Sequence, residues 1–463
     1  MKKLLSLILC VLLLCTVFSA CTNTAPASES GSPEEIAQGD VSEENPPQND
    51  PAQDGSTRPL RLFVDQYAGN LGTLYGHTDE EIVEEFLEQV ARQGGPTDIE
   101  VEIMPSLPED RQIEMGRLRV ELMAGGGPDV FIATSHSVKV PWQEALFRFP
   151  EQAMKRGMFL RLDEYIEKAR FMEWEKLNPV IMDAGRIESG QYLLPLQYFF
   201  PLTYFLADDV PPYPASTTWA EVAAGDDPAL GACMESCWYF NGWPRWFGTD
   251  YLSLTWKELV DPDSDTLLIS EEDLLQRAKE ALALKENNHT EFPHFSEFTI
   301  GELFQSGYSS MDGINDPEEF QGLTYKDSIT MVPIYCDQGG TVVPVQAYAG
   351  INASTERPED AFFLLDILLS ENCQNNSWLC DGWGGVSVCD EITGPMLPGV
   401  LEGYREARSQ ITSARITSPL DVSIGKAMTQ YQELLEDGEA TEEALEKLIS
   451  DAYREMKQML DES

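Results

Sequence analysis

A strand–helix–strand–helix–strand series opens the apolar part of this chain and restricts the fold more than any other feature. Leu60-Arg61-Leu62-Phe63-Val64 reads as a strand. Thr78-Asp79-Glu80-Glu81 places Thr three residues ahead of Glu, the spacing of a helix capping box. Ile82, Val83, Phe86, Leu87 and Val90 then recur at helical spacing, and Gly94-Gly95-Pro96 stops the run. Ile99 to Met104 alternates with period two, as a strand does. Met115, Leu118 and Leu122 mark a second helix, ended by Gly125-Gly126-Gly127. Pro128 to Ala133 is a third, largely apolar strand. Such a series requires a parallel sheet with right-handed crossovers. Ligands on such sheets sit beyond the carboxyl ends of the strands. That places Asp65 to Tyr67 and Thr134 to His136 at a candidate mouth.

The stretch after residue 57 is long for a single core, so two lobes are expected. Pro358 opens a helix carrying Ala361, Leu364, Leu365 and Leu368 on one face, and Pro suits a first helical turn. The chain closes on a helix with Leu445, Leu448, Ala452, Met456 and Met459, preceded by Thr441-Glu442-Glu443. No repeat of solenoid length is present. The 79 acidic residues against 31 basic ones give a net charge of −48. That field repels nucleic acid and anionic lipid surfaces and argues against a DNA or RNA role.

The N-terminus reads as a secretory signal. Lys2 and Lys3 precede an almost wholly apolar segment, Leu4 to Phe18, which ends in Ser19-Ala20-Cys21. The segment is shorter than the roughly 20 residues a spanning helix needs. A cysteine directly after small residues resembles a bacterial lipoprotein signal. The resemblance implies that residues 1–20 are removed and that Cys21 is acylated, anchoring the protein on the extracytoplasmic face of the cell membrane. Residues 21–57 fit a tether: Thr22 to Thr57 holds eight acidic residues, no basic one and scarcely any large apolar side chain. Such a segment buries too little surface to offset ordering entropy, so disorder is expected.

Six cysteines follow the anchor: Cys233, Cys237, Cys336, Cys373, Cys380 and Cys389. Cys373 is near enough in sequence to pair with Cys380 or Cys389, but connectivity does not follow from spacing. Cys233 and Cys237 lack a second close ligand pair, and His289 and His294 lack helical i, i+4 spacing, so no metal and no cofactor is implied.

An ordered set of short motifs resembles the extracellular solute-binding proteins of bacterial ABC importers, the class that includes the maltose-binding protein. Leu122-Met123-Ala124-Gly125 followed by Gly127-Pro128-Asp129-Val130-Phe131 is similar to that family's "AG-x-PDV" element. Gly157 to Tyr165 resembles its "G-x-L-x-x-L-D" segment, and Gly190 to Leu196 its "G-K-x-Y-x-x-P" run. Thr218-Trp219-Ala220-Glu221 resembles "T-W-x-E", and Phe304 to Met311 resembles "F-x-x-G-x-x-A-M". Ala349-Gly350-Ile351-Asn352-Ala353, with Glu359-Asp360-Ala361, is similar to the segment before the "pe-x-A" helix. The resemblance spans Leu60 to Leu460.

It implies an α/β, two-lobed periplasmic-binding-protein-like fold of type II, with discontinuous lobes joined by hinge crossings. Lobe 1 is expected at 58–198 plus 332–372, and lobe 2 at 203–331 plus 373–463. A monomer is expected to capture a small solute in the interlobe cleft and deliver it to importer permease subunits. A sugar or oligosaccharide is the leading ligand, because sugar C–H faces stack on rings while hydroxyls need placed donors and acceptors.

Trp238 to Trp246 is the aromatic segment that best fits such a site, and Trp243 and Trp246 sit beside Gly and Pro, as loop residues do. The same aromatics also suit the second lobe's core. Tyr239 belongs to this segment. Thr134, Ser135 and His136 match a position where the family places polar contacts; His136 is equally a structural histidine. Tyr198 lies at the first crossing, to line the cleft or pack the hinge. Asp312 follows the Met311 element where many relatives carry an aromatic. Trp383 stands among Gly382, Gly384 and Gly385. Tyr67, at the mouth, completes the candidate set.

Two other functions compete. A surface glycoside hydrolase needs only a carboxylate pair, although the chain lacks a Gly-x-Ser-x-Gly elbow and a His-Glu-x-x-His helix. A ligand-sensing lipoprotein that presents to a membrane kinase would use the same lobes.

Overall fold

β1 (Leu60–Val64) has every residue but Arg61 buried, so it must lie inside a sheet rather than at its edge. It pairs in parallel with β2 (Ile99–Ile103) on one side and β3 (Val130–Thr134) on the other. The computed structural model in which this is seen describes residues 58–65, 78–105, 107–136, 144–232, 251–287, 296–299, 328–376, 386–391 and 398–463. Two helices make the crossovers. α1 (Asp79–Arg92) starts at the expected box: Glu81 N–H donates to Thr78 Oγ1 at 3.2 Å and Thr78 N–H to Glu81 Oε2 at 2.8 Å. α2 (Pro108–Met123) turns Arg111, Met115 and Leu118 inward.

The later elements are β4 (Leu193–Tyr198), β5 (Pro201–Leu206), α3 (Glu271–Asn287), β6 (Ser296–Thr299), β7 (Ile329–Pro333), β8 (Thr341–Ile351), α4 (Pro358–Leu368), β9 (Val386–Ser387), α5 (Pro398–Arg408), β10 (Ile411–Ile416), α6 (Pro419–Asp437) and α7 (Glu442–Asp461). The large sheet runs β9–β4–β8–β3–β1–β2, with β10 added on β8. A smaller antiparallel sheet runs β6–β5–β7.

Two separate apolar cores result. The first gathers Leu60 to Val64, Phe86, Phe131, Phe159, Leu193 to Leu196 and the inner face of α4, together with Val386, Cys389, Tyr404 and Ile411. The second joins Phe205, Trp219, Leu252 to Trp256, Leu274 and Val332 to the packed pair α6 and α7. On that pair Ile424, Met428 and Tyr431 are buried, as are Leu445, Ile449, Ala452 and Met456.

Three stretches of chain pass between the cores. β4 runs into β5 through Phe199 and Phe200; β7 returns through Ile334–Cys336 into β8; β10 runs into α6 through Thr417. β8 is the central one. Its first half pairs in parallel with β10, and its second half lies antiparallel between β3 and β4. All 11 of its residues are buried.

The Pro128-Asp129-Val130 motif has a clear structural task. The Asp129 carboxylate, 1% exposed, accepts from Arg58 Nη2 at 2.7 Å and Nη1 at 2.9 Å. It also accepts from Arg61 N–H at 2.9 Å and Thr355 Oγ1 at 2.7 Å. One side chain thus ties the start of β1 to β3 and to the turn after β8. Replacing it leaves the part-buried Arg61 N–H and Thr355 hydroxyl without their acceptor and frees the exposed Arg58 guanidinium. Asp129→Ala is expected to lower unfolding free energy by about 2 kcal/mol, from the lost hydrogen bonds. Urea denaturation checks this, and a loss below about 1 kcal/mol would disprove the pinning role.

Candidate functional site

β1, β3 and β4 all point the same way, since β3 is parallel to β1 and both β3 and β4 run against β8. Their carboxyl ends therefore meet on one side of the sheet, where β8 enters from the second core. Gln197, Ala347 and Thr134 form one row across β4, β8 and β3 at that level. This is the crevice where α/β folds collect ligands.

Asp65, at the tip of β1, is 0% exposed and lies against Arg111. Arg111 Nη1 and Nη2 donate to its two carboxylate oxygens at 2.8 and 2.6 Å, a bidentate fork. Thr134 Oγ1 adds a third donor at 2.9 Å. Arg111 Nη2 also reaches Glu144 O at 3.0 Å. The pair locks the first turn of α2 onto the strand ends and leaves no net charge there.

The neighbouring residues knit the crossings together. Ser135 N–H donates to Gln346 O at 2.9 Å, and Ser135 Oγ to Val345 O at 2.7 Å. Thr417 Oγ1 donates to Ser135 Oγ at 2.9 Å and to His136 O. Phe199 N–H donates to Pro344 O at 2.9 Å. The hydroxyl protons of Thr134 and Ser135 are thus engaged with the protein itself, which leaves those two residues only acceptor capacity.

His136 differs. Its ring is 5% exposed and its Nε2 has no hydrogen-bond partner among the described residues. Burial pushes its pKa down to about 4, with Glu144 pulling it up and Arg148 and Arg119 down. Gln346, 6% exposed, likewise has neither its Oε1 nor its Nε2 paired among the described residues.

Tyr198 closes β4. It is fully buried, and burial pushes its hydroxyl well above the usual range. Arg408 lies 5.8 Å from the centroids of both the Tyr198 and Tyr404 rings, and it pairs with Asp390 at 2.5 Å. Tyr198 therefore packs the base of the first crossing.

A groove of about 300 Å³ also runs between the cores. Gln152 and Arg186 line it from one side, Lys257 and Val260 from the other, with Arg415 of β10. Arg415 is committed to Ser253 O, Trp256 O and Asp421 Oδ1.

Of the residues singled out from sequence, Thr134, Ser135 and His136 are contiguous at the strand ends, and Tyr198 lies two strands away. Tyr67, Tyr239, Trp243, Trp246, Asp312, Trp383 and Cys21 lie outside the described residues, as do Cys233, Cys237 and Cys380. Sequence reading missed Arg111, Gln346 and Thr417. Arg111 carried a signal: it continues the Met115–Leu118–Leu122 stripe, and a cation on a buried stripe demands a buried acid. Gln346 is the one amide in the apolar run of β8.

No protein-family model matches the chain, and no curated protein does. Solved structures do. The extracellular solute-binding protein family 1 from Alicyclobacillus acidocaldarius subsp. acidocaldarius DSM 446 is 14% identical, with 87% of this chain and 100% of that one covered at a TM-score of 0.50. A periplasmic oligogalacturonide binding protein from Yersinia enterocolitica is 14% identical over 87% and 100%, at 0.49. A cyclic alpha-maltosyl-1,6-maltose binding protein from Arthrobacter globiformis is 16% identical over 87% and 100%, at 0.47.

His136 yields a test by pH. The folded ring resists the proton that the unfolded ring takes up below pH 6.5, so acid favours unfolding between pH 6.5 and about 4. Over that window wild type should lose about 3 kcal/mol more stability than His136→Gln. Denaturation midpoints measured across the window read this difference, and parallel curves would refute it.

Proposed function

We propose that this chain, which has the two-lobed α/β fold of the extracellular solute-binding proteins, captures a small solute between its lobes and hands it to an ABC importer. The observation that carries the reading is the convergence of three crossings on the carboxyl ends of β1, β3 and β4. Closure of two cores around a solute needs crossings that absorb dihedral change without unpacking either core. Binding then shifts an open–closed equilibrium.

We draw the lobes along the two buried cores, which assigns Cys373, 386–391 and 398–411 to the first lobe and 332–342 to the second, the reverse of the assignment expected from sequence. The solute is a sugar or oligosaccharide, held by stacking on Trp243 and Trp246, with Tyr239, Tyr67 and Trp383 as further aromatic contacts. Thr134, Ser135 and His136 supply polar contacts from the strand ends, Asp312 another, and Tyr198 supports the hinge. The protein works as a monomer, acylated on Cys21 and held at the extracytoplasmic face of the membrane by residues 21–57. Among the described residues no helix is long and apolar enough to cross a membrane.

A thermal-shift screen over oligosaccharides, peptides and amines tests the capture reading, because selective binding to the folded state raises the melting temperature. One oligosaccharide is expected to raise it, and X-ray scattering should show a smaller radius of gyration with that solute bound. Identical scattering with a confirmed tight binder would refute closure. Trp243→Ala and Trp246→Ala should each weaken binding by about tenfold while the protein stays folded. Unchanged calorimetric affinity in both variants would remove the aromatic assignment. Separately, Cys21→Ala should release the protein from the membrane fraction.

A further inference from the structure

We propose that a pocket within the first lobe, lined by residues between 174 and 191 alone, binds an α-amino acid with an apolar side chain. The chain there makes a short 3-10 turn at Trp174–Lys176 and one helical turn at Pro179–Met182. It then returns as a small hairpin, Arg186–Ile187 against Gly190–Gln191. A cavity of about 300 Å³ lies among these turns, walled by Trp174, Leu177, Pro179 and Met182. Leu177 and Met182 belong to the first core, and Trp174 packs against it. None of the three crossings contributes a lining residue.

Gln191 also lines the cavity and is 0% exposed. Its amide can take only one orientation. Nε2 donates to Met182 O and to Leu193 O, both at 2.7 Å, and neither carbonyl could receive Oε1 instead. A Cβ at Gly185 would stand 1.9 Å from Leu193 O and 3.0 Å from Gln191 Nε2, so the bare backbone of Gly185 makes room for this bonding. Oε1 remains a buried acceptor with no partner among the described residues. Buried polar atoms are as a rule satisfied, so this one calls for a donor from outside the chain.

Two charges at the rim narrow the ligand. Glu175 is exposed and makes no ion pair among the described residues. Arg186 lies 3.4 Å from Asp183 and 3.8 Å from Asp163, longer than a charge-assisted hydrogen bond, so its guanidinium donors stay open. An open carboxylate, a buried acceptor and an open guanidinium around apolar walls match the three parts of one amino acid. Arg186 forks the carboxylate. Glu175 and Gln191 Oε1 accept from the ammonium. Trp174, Leu177, Pro179 and Met182 enclose the apolar side chain. A neutral sugar would leave both charges unmatched, and an inorganic anion would leave Glu175 and Gln191 without a donor.

The test is calorimetric titration of the full mature chain with leucine, methionine and phenylalanine, and with the N-acetyl and amide derivatives of each. One of the three amino acids is expected to bind. Its derivatives should bind at least tenfold more weakly, since each removes one of the two charges. Glu175→Gln and Arg186→Gln, both at exposed rim positions, should each weaken binding at least fivefold while melting without ligand at the wild-type temperature. Binding unchanged in either variant would overturn the site, the amino acid then sitting elsewhere, the interlobe cleft included. A fall in ligand-free melting temperature that accompanies the loss of affinity would assign that loss to structure and overturn it too. Derivatives as tight as their parent would overturn the amino-acid class. No binding of any of the three would overturn the inference, with Gln191 Oε1 met by water alone. Solute capture would still stand, because this pocket shares no residue with the strand ends.

Discussion

The rest of the structure depends on β8. A strand that is buried along its whole length and shared by two cores cannot be extracted from either without exposing both. Val342 belongs to the second core, and Val343, Val345 and Ala347 to the first. Its ladder is continuous in each half but shifts register at Thr341/Val342 toward β10 and at Ala347/Tyr348 toward β4. Bulges bend a strand and raise its local twist without breaking it. The irregularities thus bracket residues 342–347, the stretch that passes from one core to the other. Any relative motion of the cores must be absorbed there and in the two companion crossings.

The polar residues cluster at the same level for a related reason. Strand ends expose backbone groups that neither sheet satisfies, and of the three crossings the one from β10 into α6 ends in a helix cap, the Ser418–Asp421 box. The structure satisfies them with side chains: Ser135 and Thr417 bond carbonyls and each other, and Thr134 completes the Asp65–Arg111 fork. A buried ion pair is weak evidence for stability, but losing one partner is costly because the other charge stays behind. The fork therefore fixes geometry more than it adds stability. It holds α2 against the strand ends so that residues 134–136 keep one orientation.

Much of the first core was legible because its elements are strongly periodic. The apolar run at 60–64, the capping box at Thr78 and the glycines after α2 each have a local physical cause and needed no tertiary context. Gly125 and Gly127, for example, both adopt positive φ where the chain leaves α2. The Pro358 helix and the final helix were equally plain, although Ile449 was overlooked among the inward residues of α7. The site was less legible. Whether Tyr198 lines or supports the cleft depends on Tyr404 and Arg408, more than two hundred residues away in sequence. That Thr134 and Ser135 spend their hydroxyl protons internally follows from Asp65 and Val345, which no local pattern announces. The partition of the chain between cores was hidden for the same reason: β9 and α5 join the first core through β4 and β7, contacts set by topology.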